Sequence, residues 1–457
     1  MPRVGAVRLS GWAALFTAVM VFAALTWWSF SHIRAMWSIQ HGQSTLYAGI
    51  FLLAYFLLVF EMILCYLERP YRTTREQQRE LDAAKLVVNV PVYNEDADAL
   101  KQCLTSLINQ IRRPDMIYVV DDGSAVDYTE IQAWFEVEAA SHGVEARWER
   151  QENAGKRHAQ GRTIANTPDA DFYLTIDSDA MLCENSIQEG LKPFADPSVH
   201  SVAGVVLVRN RVNPLTWMTD LWFVVGQLVD RSSMSSVGAV LVNSGALAFY
   251  RGQLLRDHLD AYLNETFFGR RIETSDDSLL TIYALAEGKA VQQPTAFSFT
   301  LMPEKYSHHR RQYLRWMRGA FIRSWWRFRY LRLTGWAYWL HFFGWVQMAM
   351  STVTFLVFFI YIPVIHPRVI PFLLIVPLAV GYGQATRYFM VRRIGTSFRT
   401  QLLVYLAMPV LSVYSFFVLR ALRWYAMFTC LKTGWGTRGQ VESLTVVTPK
   451  TELLASA

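Results

Sequence analysis

Met116-Ile117-Tyr118-Val119-Val120-Asp121-Asp122-Gly123-Ser124 decides the fold of this chain. Apolar residues over a strand's length run directly into two carboxylates and a glycine turn, so a buried strand delivers Asp121 and Asp122 at its carboxyl end. Upstream, residues 86–90 form a second apolar run that stops at Pro91, and residues 98–110 repeat their apolar positions at helical spacing. Downstream, a weaker strand at 145–149 precedes Asn153-Ala154-Gly155-Lys156-Arg157, which opens another helix. Residues 172–176 then lead into Asp177-Ser178-Asp179. Strand–helix alternation of this kind predicts a mainly parallel sheet that gathers ligands at the carboxyl ends of its strands. Each of these acidic clusters falls at such an end.

Two more clusters follow in the same soluble stretch. They are Ser275-Asp276-Asp277, ahead of a helix expected over 277–286, and Gln312-x-x-Arg315-Trp316. Paired carboxylates at strand ends can hold a divalent cation on a diphosphate. A separate Asp can take a proton from a hydroxyl, and an Arg-Trp pair can grip a phosphate and the flat face of a sugar. Taken singly these are ordinary: an Asp-Asp-Gly-Ser turn is often only a solvated turn, and Asp-x-Asp recurs by chance. Their order along one stretch points to sugar transfer from a nucleotide donor at a membrane.

The membrane enters through composition. Of 457 residues, 52% are hydrophobic and 14% aromatic, with 16 Trp, which is rich for a soluble enzyme. The net charge of +7 is not gathered on one polar tract, which argues against a nucleic-acid partner. It sits beside apolar segments, at Arg3, Arg8, Arg69, Arg72, Arg387, Arg392, Arg393 and Arg399, the pattern of basic loops kept on the cytoplasmic side of a plasma or inner membrane. The four cysteines are scattered, so neither a zinc site nor a disulfide framework is expected, and a reducing cytosolic setting fits. Segments 11–31 and 47–66 each supply about twenty mainly apolar residues, enough to cross about 30 Å of hydrocarbon. Segments 336–362 and 369–388 do so again. The last run, 402–430, is interrupted by Pro409 and carries Arg420 and Arg423, which suggests a broken or re-entrant hairpin, or a span followed by an interfacial helix. Residues 215–229 and 314–330 are amphipathic and rich in Trp. The second, with Arg310 just ahead of it, carries Arg315, Arg318, Arg323, Arg327 and Arg329, a composition suited to the headgroup layer.

On these residues the chain resembles the membrane-embedded, processive family 2 glycosyltransferases, and among them the bacterial hyaluronan synthases. The matching pieces are Pro91-x-Tyr93-Asn94-Glu95, Asp121-Asp122-Gly123-Ser124, Asn153-x-Gly155-Lys156-Arg157-His158-Ala159-Gln160, Asp177-Ser178-Asp179, Val208-Arg209-Asn210-Arg211, Ser244-Gly245, Asp276-Asp277, Gln312-x-x-Arg315-Trp316 and Trp435-Gly436-Thr437-Arg438. Three motifs depart from the family pattern. Ser275-Asp276-Asp277-Ser278 stands where Gly-Asp-Asp-Arg is usual, Tyr313 replaces the second Gln of Gln-Gln-x-Arg-Trp, and Asn243-Ser244-Gly245-Ala246 replaces Cys-Ser-Gly-Pro. These put the identity of the sugars in doubt.

The resemblance implies an α/β GT-A-type, Rossmann-like cytosolic domain over 67–334. Two transmembrane helices over 1–66 would precede it, with transmembrane or re-entrant helices over 335–430 after it and a gating-loop motif and mobile tail over 431–457. It implies UDP-sugar donors, inversion at the anomeric carbon, a Mg2+ or Mn2+ ion, and a polysaccharide that grows and passes through the bilayer. Residue by residue, Asp277 would be the general base. Asp121 or Asp122, with Pro91, Tyr93, Glu95 and Lys156, would line the nucleotide. Asp179 and Asp177 would hold the metal, and Arg315 would face the diphosphate. Trp316, Gln312, Ser244, Gly245 and Asp276 would meet the acceptor. Trp435, Gly436, Thr437 and Arg438 would close over the donor, with Arg438 touching it. Hyaluronan made from UDP-GlcNAc and UDP-GlcA is the leading product. The alternatives are a chitin-type oligosaccharide, a glucan or capsule polymer, and an inactive membrane scaffold.

Overall fold

The computed structural model describes residues 4–6, 56–57, 59–361, 364, 381–393 and 396–432. The expected span 11–31, half of 47–66, most of 369–388, and the Trp435-Gly436-Thr437-Arg438 motif lie outside the described residues.

Eight strands make one sheet: β1 (Leu86–Val92), β2 (Met116–Asp121), β3 (Glu145–Arg150), β4 (Phe172–Thr175), β5 (Met181–Leu182), β6 (Val199–Val208), β7 (Ala248–Arg251) and β8 (Lys289–Thr300). Their order is β3-β2-β1-β4-β7-β6-β8-β5. The first four are parallel, β7 runs antiparallel between β4 and β6, β8 is parallel to β6, and β5 is antiparallel to β8. The expected mainly parallel sheet is therefore mixed. Strand β7 follows β6 in the chain and lies beside it, an arrangement antiparallel pairing permits without a crossover.

Strand β1 also runs past Pro91, where the sequence reading ends it. The Asn89 carbonyl accepts from Ile176 on the β4 side, and β4 pairs with β1 only as far as Asn89. Pro91 faces that same side beyond the end of β4, so its missing N–H breaks no ladder bond.

The helices that place the site are α1 (Ala97–Ile108), α2 (Thr129–Ser141), α3 (Lys156–Asn166), α4 (Pro214–Val225), α5 (Asp276–Glu287), α6 (Tyr306–Tyr330), α7 (Trp336–Tyr361) and α8 (Phe398–Phe428). Side chains alternate across the sheet as the strand period requires. Val88, Val90, Ile117, Val119 and Leu174 pack with Leu100, Leu104 and Leu107 of α1 and Phe135 of α2. Val87, Tyr118, Val120, Tyr173 and Tyr250 pack with Ile164 of α3 and Leu279 and Leu280 of α5 on the other face. Helix α1 starts at Asp96, whose side chain accepts from the Ala99 amide at 3.0 Å, an N-cap of the preferred type.

Two amphipathic readings change. Helix α4 is wedged between the sheet and the C-terminal helices, with Leu221, Val224 and Val225 sharing a cluster with Val205, Phe297, Met408 and Leu411. Its apolar side thus finds protein. In α6 the helical period turns Arg323 and Arg327 inward, where both are buried, while Trp325, Phe328 and Tyr330 stay exposed. The final apolar run is one helical stretch, α8, rather than a hairpin, and Pro409 sits at the start of its Met408–Val413 segment, where a missing N–H is harmless. Among the described residues, α7 and α8 are long and apolar enough to cross a membrane.

Candidate active site

Two of the acidic clusters meet at Lys156. Its ammonium lies 2.7 Å from Asp177 Oδ1 and 3.1 Å from Asp276 Oδ2, joining the β4 end to the first turn of α5. Lys156 opens α3 immediately after Gly155, which takes a φ of 97° that few side-chain-bearing residues tolerate. That loop is fixed by Asp122. One of its carboxylate oxygens accepts from Gln151 Nε2 and the Ala154 amide, both at 2.8 Å, and the other from the Gly155 amide at 2.9 Å. Asp122 thereby fixes the shape of the loop. Asp121, at the end of β2, accepts from the Ser124 amide at 2.9 Å and lies 3.6 Å from Arg150 Nε.

On the other flank, Asp277 Oδ2 accepts from the Gly245 amide at 3.2 Å and Oδ1 from the Ser278 amide at 2.6 Å. Gly245 is pressed against the centre: a Cβ there would lie 3.2 Å from Lys156 Nζ and 3.3 Å from Asp177 Oδ1. Burial, and then the neighbouring Asp276, push Asp277 up to about 6, with Lys156 opposing. Burial acts on Asp276 in the same sense, but Lys156 and Arg157 outweigh it and hold that carboxyl below its usual range. Adjacent acids are thereby split: Asp276 is kept ionised as the partner of Lys156, and Asp277 is poised to exchange a proton.

Asp179 is half-buried and accepts from Thr300 Oγ1 at 3.1 Å. Burial, followed by the Glu95 and Asp177 charges, pushes it up to about 8. Glu95 itself accepts from Ser178 Oγ at 2.9 Å, so three carboxylates lean on one another along Glu95, Asp177 and Asp179. Among the described residues no three His, Cys, Asp or Glu side chains are arranged to hold a metal ion by themselves. Negative charge in excess of local cations nevertheless fits a divalent ion that takes its remaining ligands from a diphosphate. Asp177 has 38% of its side chain exposed, so it is open to a ligand.

The residues expected to meet the acceptor lie on α6 and in the 243–246 turn. Ser244 Oγ accepts from Arg231 Nη2 at 2.8 Å. Trp316 stacks on Trp222 of α4, with ring centroids 6.4 Å apart, and its ring centre is 5.9 Å from that of Phe223. Gln312 Oε1 and the Tyr313 hydroxyl are buried with no hydrogen-bond partner among the described residues. Pro91 lies within β1, and Tyr93 and Glu95 follow in the loop beyond it. Arg315 precedes Trp316 on α6. Asp276, also expected to meet the acceptor, is paired with Lys156.

Residues 87–259 match the family model described as Glycosyl transferase family 2. The chain carries a family 2 glycosyltransferase domain. It is 34% identical over 281 residues to the hyaluronan synthase of Streptococcus pyogenes serotype M3, covering 60% of this chain and 64% of that relative's length. It is 31% identical over 240 residues to an N-acetylglucosaminyltransferase of Azorhizobium caulinodans, covering 51% of this chain and 59% of the relative. The chain thus spans less than two thirds of each relative's length. Among solved structures, a mannosyltransferase from Pyrobaculum calidifontis in complex with GDP-Man and Mn2+ superposes with a TM-score of 0.52 at 17% identity, over 86% of this chain and 97% of that one. The likeness establishes a GT-A-like mixed-sheet fold.

Within the family 2 domain, three residues near the centre were not singled out by sequence reasoning. Arg209, at the end of β6, pairs with Gln102 and faces Asp179. Arg231 faces Asp277 and holds Ser244. Tyr250 on β7 directs its hydroxyl to the Asp277 carbonyl at 3.4 Å. Arg209 lies in the Val-Arg-Asn-Arg motif, which located it without giving it a role. No spacing marks the other two.

Proposed function

We propose that the protein is an inverting, processive glycosyltransferase of the plasma or inner membrane. It polymerises hyaluronan or a close relative from UDP-GlcNAc and UDP-GlcA, with its catalytic domain on the cytosolic side. The observation that carries this reading is Lys156 spanning Asp177 and Asp276, which puts the donor-side acids and the expected base in one cluster. Asp277 accepts the proton of the acceptor hydroxyl while that oxygen bonds to the anomeric carbon and the bond to UDP breaks. The Gly245 amide holds the Asp277 carboxylate in register for this. A Mg2+ or Mn2+ ion held by Asp179 and Asp177 would offset the charge that grows on the departing diphosphate. Lys156 and Arg315 add fixed positive charge on the same side, which counts most in the transition state. Trp316 positions the acceptor, and the Trp435–Arg438 segment excludes water from the donor. Helices α7 and α8 support placement in a bilayer.

A single-donor, chitin-type reading has specific support in Ser278 and Tyr313, which depart from the hyaluronan-synthase pattern, and in the N-acetylglucosaminyltransferase likeness. UDP release by detergent-solubilised protein decides between them. UDP-GlcNAc, UDP-GlcA and UDP-Glc are tested singly and in pairs, with Mg2+ or Mn2+ and with chelator, against Asp277→Asn. Synergy of UDP-GlcNAc with UDP-GlcA and hyaluronidase-sensitive polymer establishes the leading reading. Polymer from UDP-GlcNAc alone selects the second. Release no greater than in Asp277→Asn with every donor overturns both.

A further inference from the structure

Behind the catalytic cluster lies a second group of charges that the proposed chemistry does not use. Glu265 is buried among Arg157 of α3, Arg323 of α6 and Trp326 of α6. Arg157 Nη1 donates to Glu265 Oε2 at 2.7 Å, Arg323 Nη2 donates to the same oxygen at 2.9 Å, and Arg323 Nη1 and Trp326 Nε1 donate to Oε1, the latter at 2.8 Å. One carboxylate therefore faces two guanidiniums, and the surplus donors need acceptors. They find backbone carbonyls. Arg157 Nη2 and Arg323 Nη2 reach the Thr274 carbonyl at 2.8 and 3.1 Å, and Arg323 Nε reaches that of Ser275 at 3.1 Å.

Those carbonyls belong to the turn that launches Asp276 and Asp277. Ser275 stands at φ 58° and ψ 43°, a left-handed conformation that a residue with a Cβ holds only when its surroundings impose it. The surroundings are these guanidiniums and Gly319 of α6, where a Cβ would come within 2.1 Å of Ser275 Oγ. Consecutive residues of α3 thus split the work: Lys156 grips the side chain of Asp276, and Arg157 grips the backbone two residues earlier.

We propose that Glu265, Arg157 and Arg323 form a positioning clamp that holds the Thr274–Ser275 backbone and thereby aims Asp277, locking the donor-side helix α3 to the acceptor-side helix α6. None of the three touches the reacting atoms. The assignment of Asp277 as base rests on the function proposed above; the clamp's grip on the turn does not.

The test is Arg323→Lys in the full-length protein, which keeps the charge and loses the planar fork that serves Glu265, Thr274 and Ser275 together. Trp326→Phe is the milder companion if the first variant folds poorly. Two quantities are read: kcat and donor KM for UDP release, and amide hydrogen exchange of the peptide spanning Thr274–Ser278. The clamp predicts that kcat falls about tenfold to a hundredfold with donor KM unchanged, because a small misplacement of the base acts on the chemical step. It also predicts faster exchange confined to that peptide, with a smaller change of both kinds in Trp326→Phe. Unchanged exchange there in folded protein overturns the clamp. So does a uniform loss of protection and thermal stability with kcat per folded molecule intact, which is the signature of a scaffold contact. Wild-type protein that releases no UDP overturns the transferase reading instead, and the exchange result then still decides whether the clamp exists.

Discussion

Lys156 Nζ sits 3.1 Å from Asp276 Oδ2, so the first residue of the helix after the Asn153–Gly155 loop is bonded to the first residue of the helix that carries Asp277. The two helices are bound at their N-termini by one charge pair, and Asp177 at the end of β4 shares the same ammonium.

Replacing that ammonium removes the counter-charge of two acids at once. Lys156→Met is expected to abolish detectable UDP release and to cost about 1–3 kcal/mol of stability, less than a wholly buried pair because Asp177 is partly exposed. A thermal melt beside the release assay checks both. Full activity in Lys156→Met excludes the cluster as the reaction centre.

Asp277→Asn keeps the shape of the side chain and an acceptor for one of its two amide donors, so the fold should survive. The expected loss is about a hundredfold or more in kcat with donor KM little changed. A steady-state comparison at saturating acceptor measures it. A drop in donor affinity alone would place Asp277 in binding instead.

The same residue predicts a pH dependence. Asp277 is raised to about 6, so it is protonated, and idle as a base, below that value. The release rate should fall with unit slope on the acid side of about pH 6 and level off above it. Stability follows the opposite course. A carboxyl whose folded pKa lies above its unfolded value favours the folded state as pH falls through that interval and opposes it above. Asp277→Asn should accordingly melt higher than wild type at pH 8, with the advantage vanishing near pH 4. Melting curves across that range test the sign.

Gly319 and Ser275 give a paired prediction. A Cβ at Gly319 meets Ser275 Oγ at 2.1 Å, so Gly319→Ala should destabilise by about 1–3 kcal/mol and slow release as α6 is pushed off the turn. The family pattern that the chain resembles has Gly where Ser275 stands. Ser275→Gly removes the opposing hydroxyl and suits the positive φ, so the double variant should recover most of the loss. Additive defects in a double-mutant cycle would show that the two residues act apart.

What was legible in the sequence followed periodicity. Residues 116–121 and 172–175 alternate between two cores, and the acids at their ends lie where the apolar runs point. Pro91 misled because its penalty depends on whether a neighbour reaches that far, and β4 does not. The arginines of α6 misled for a related reason: composition gives a helix its charge, but only the fold says which charges meet a buried Glu265. The roles of Asp122 and Arg157 were hidden because hydrogen-bond partners decide them, and the partners are remote in sequence. Glu265 lies 108 residues after Arg157 and 58 before Arg323.

Those separations bear on the order in which the protein is made. Lys156, Asp177 and the strands that carry them emerge from the ribosome well before Arg323, and domains take shape roughly in the order of synthesis. Until α6 emerges, the Ser275 turn has neither the Arg323 fork nor Gly319 to hold it in its left-handed shape. The nascent chain therefore passes through a period in which its donor half can be ordered while the residue proposed to take the acceptor's proton is unaimed. The clamp proposed above closes only once the helix leading into the apolar C-terminal segments has been delivered.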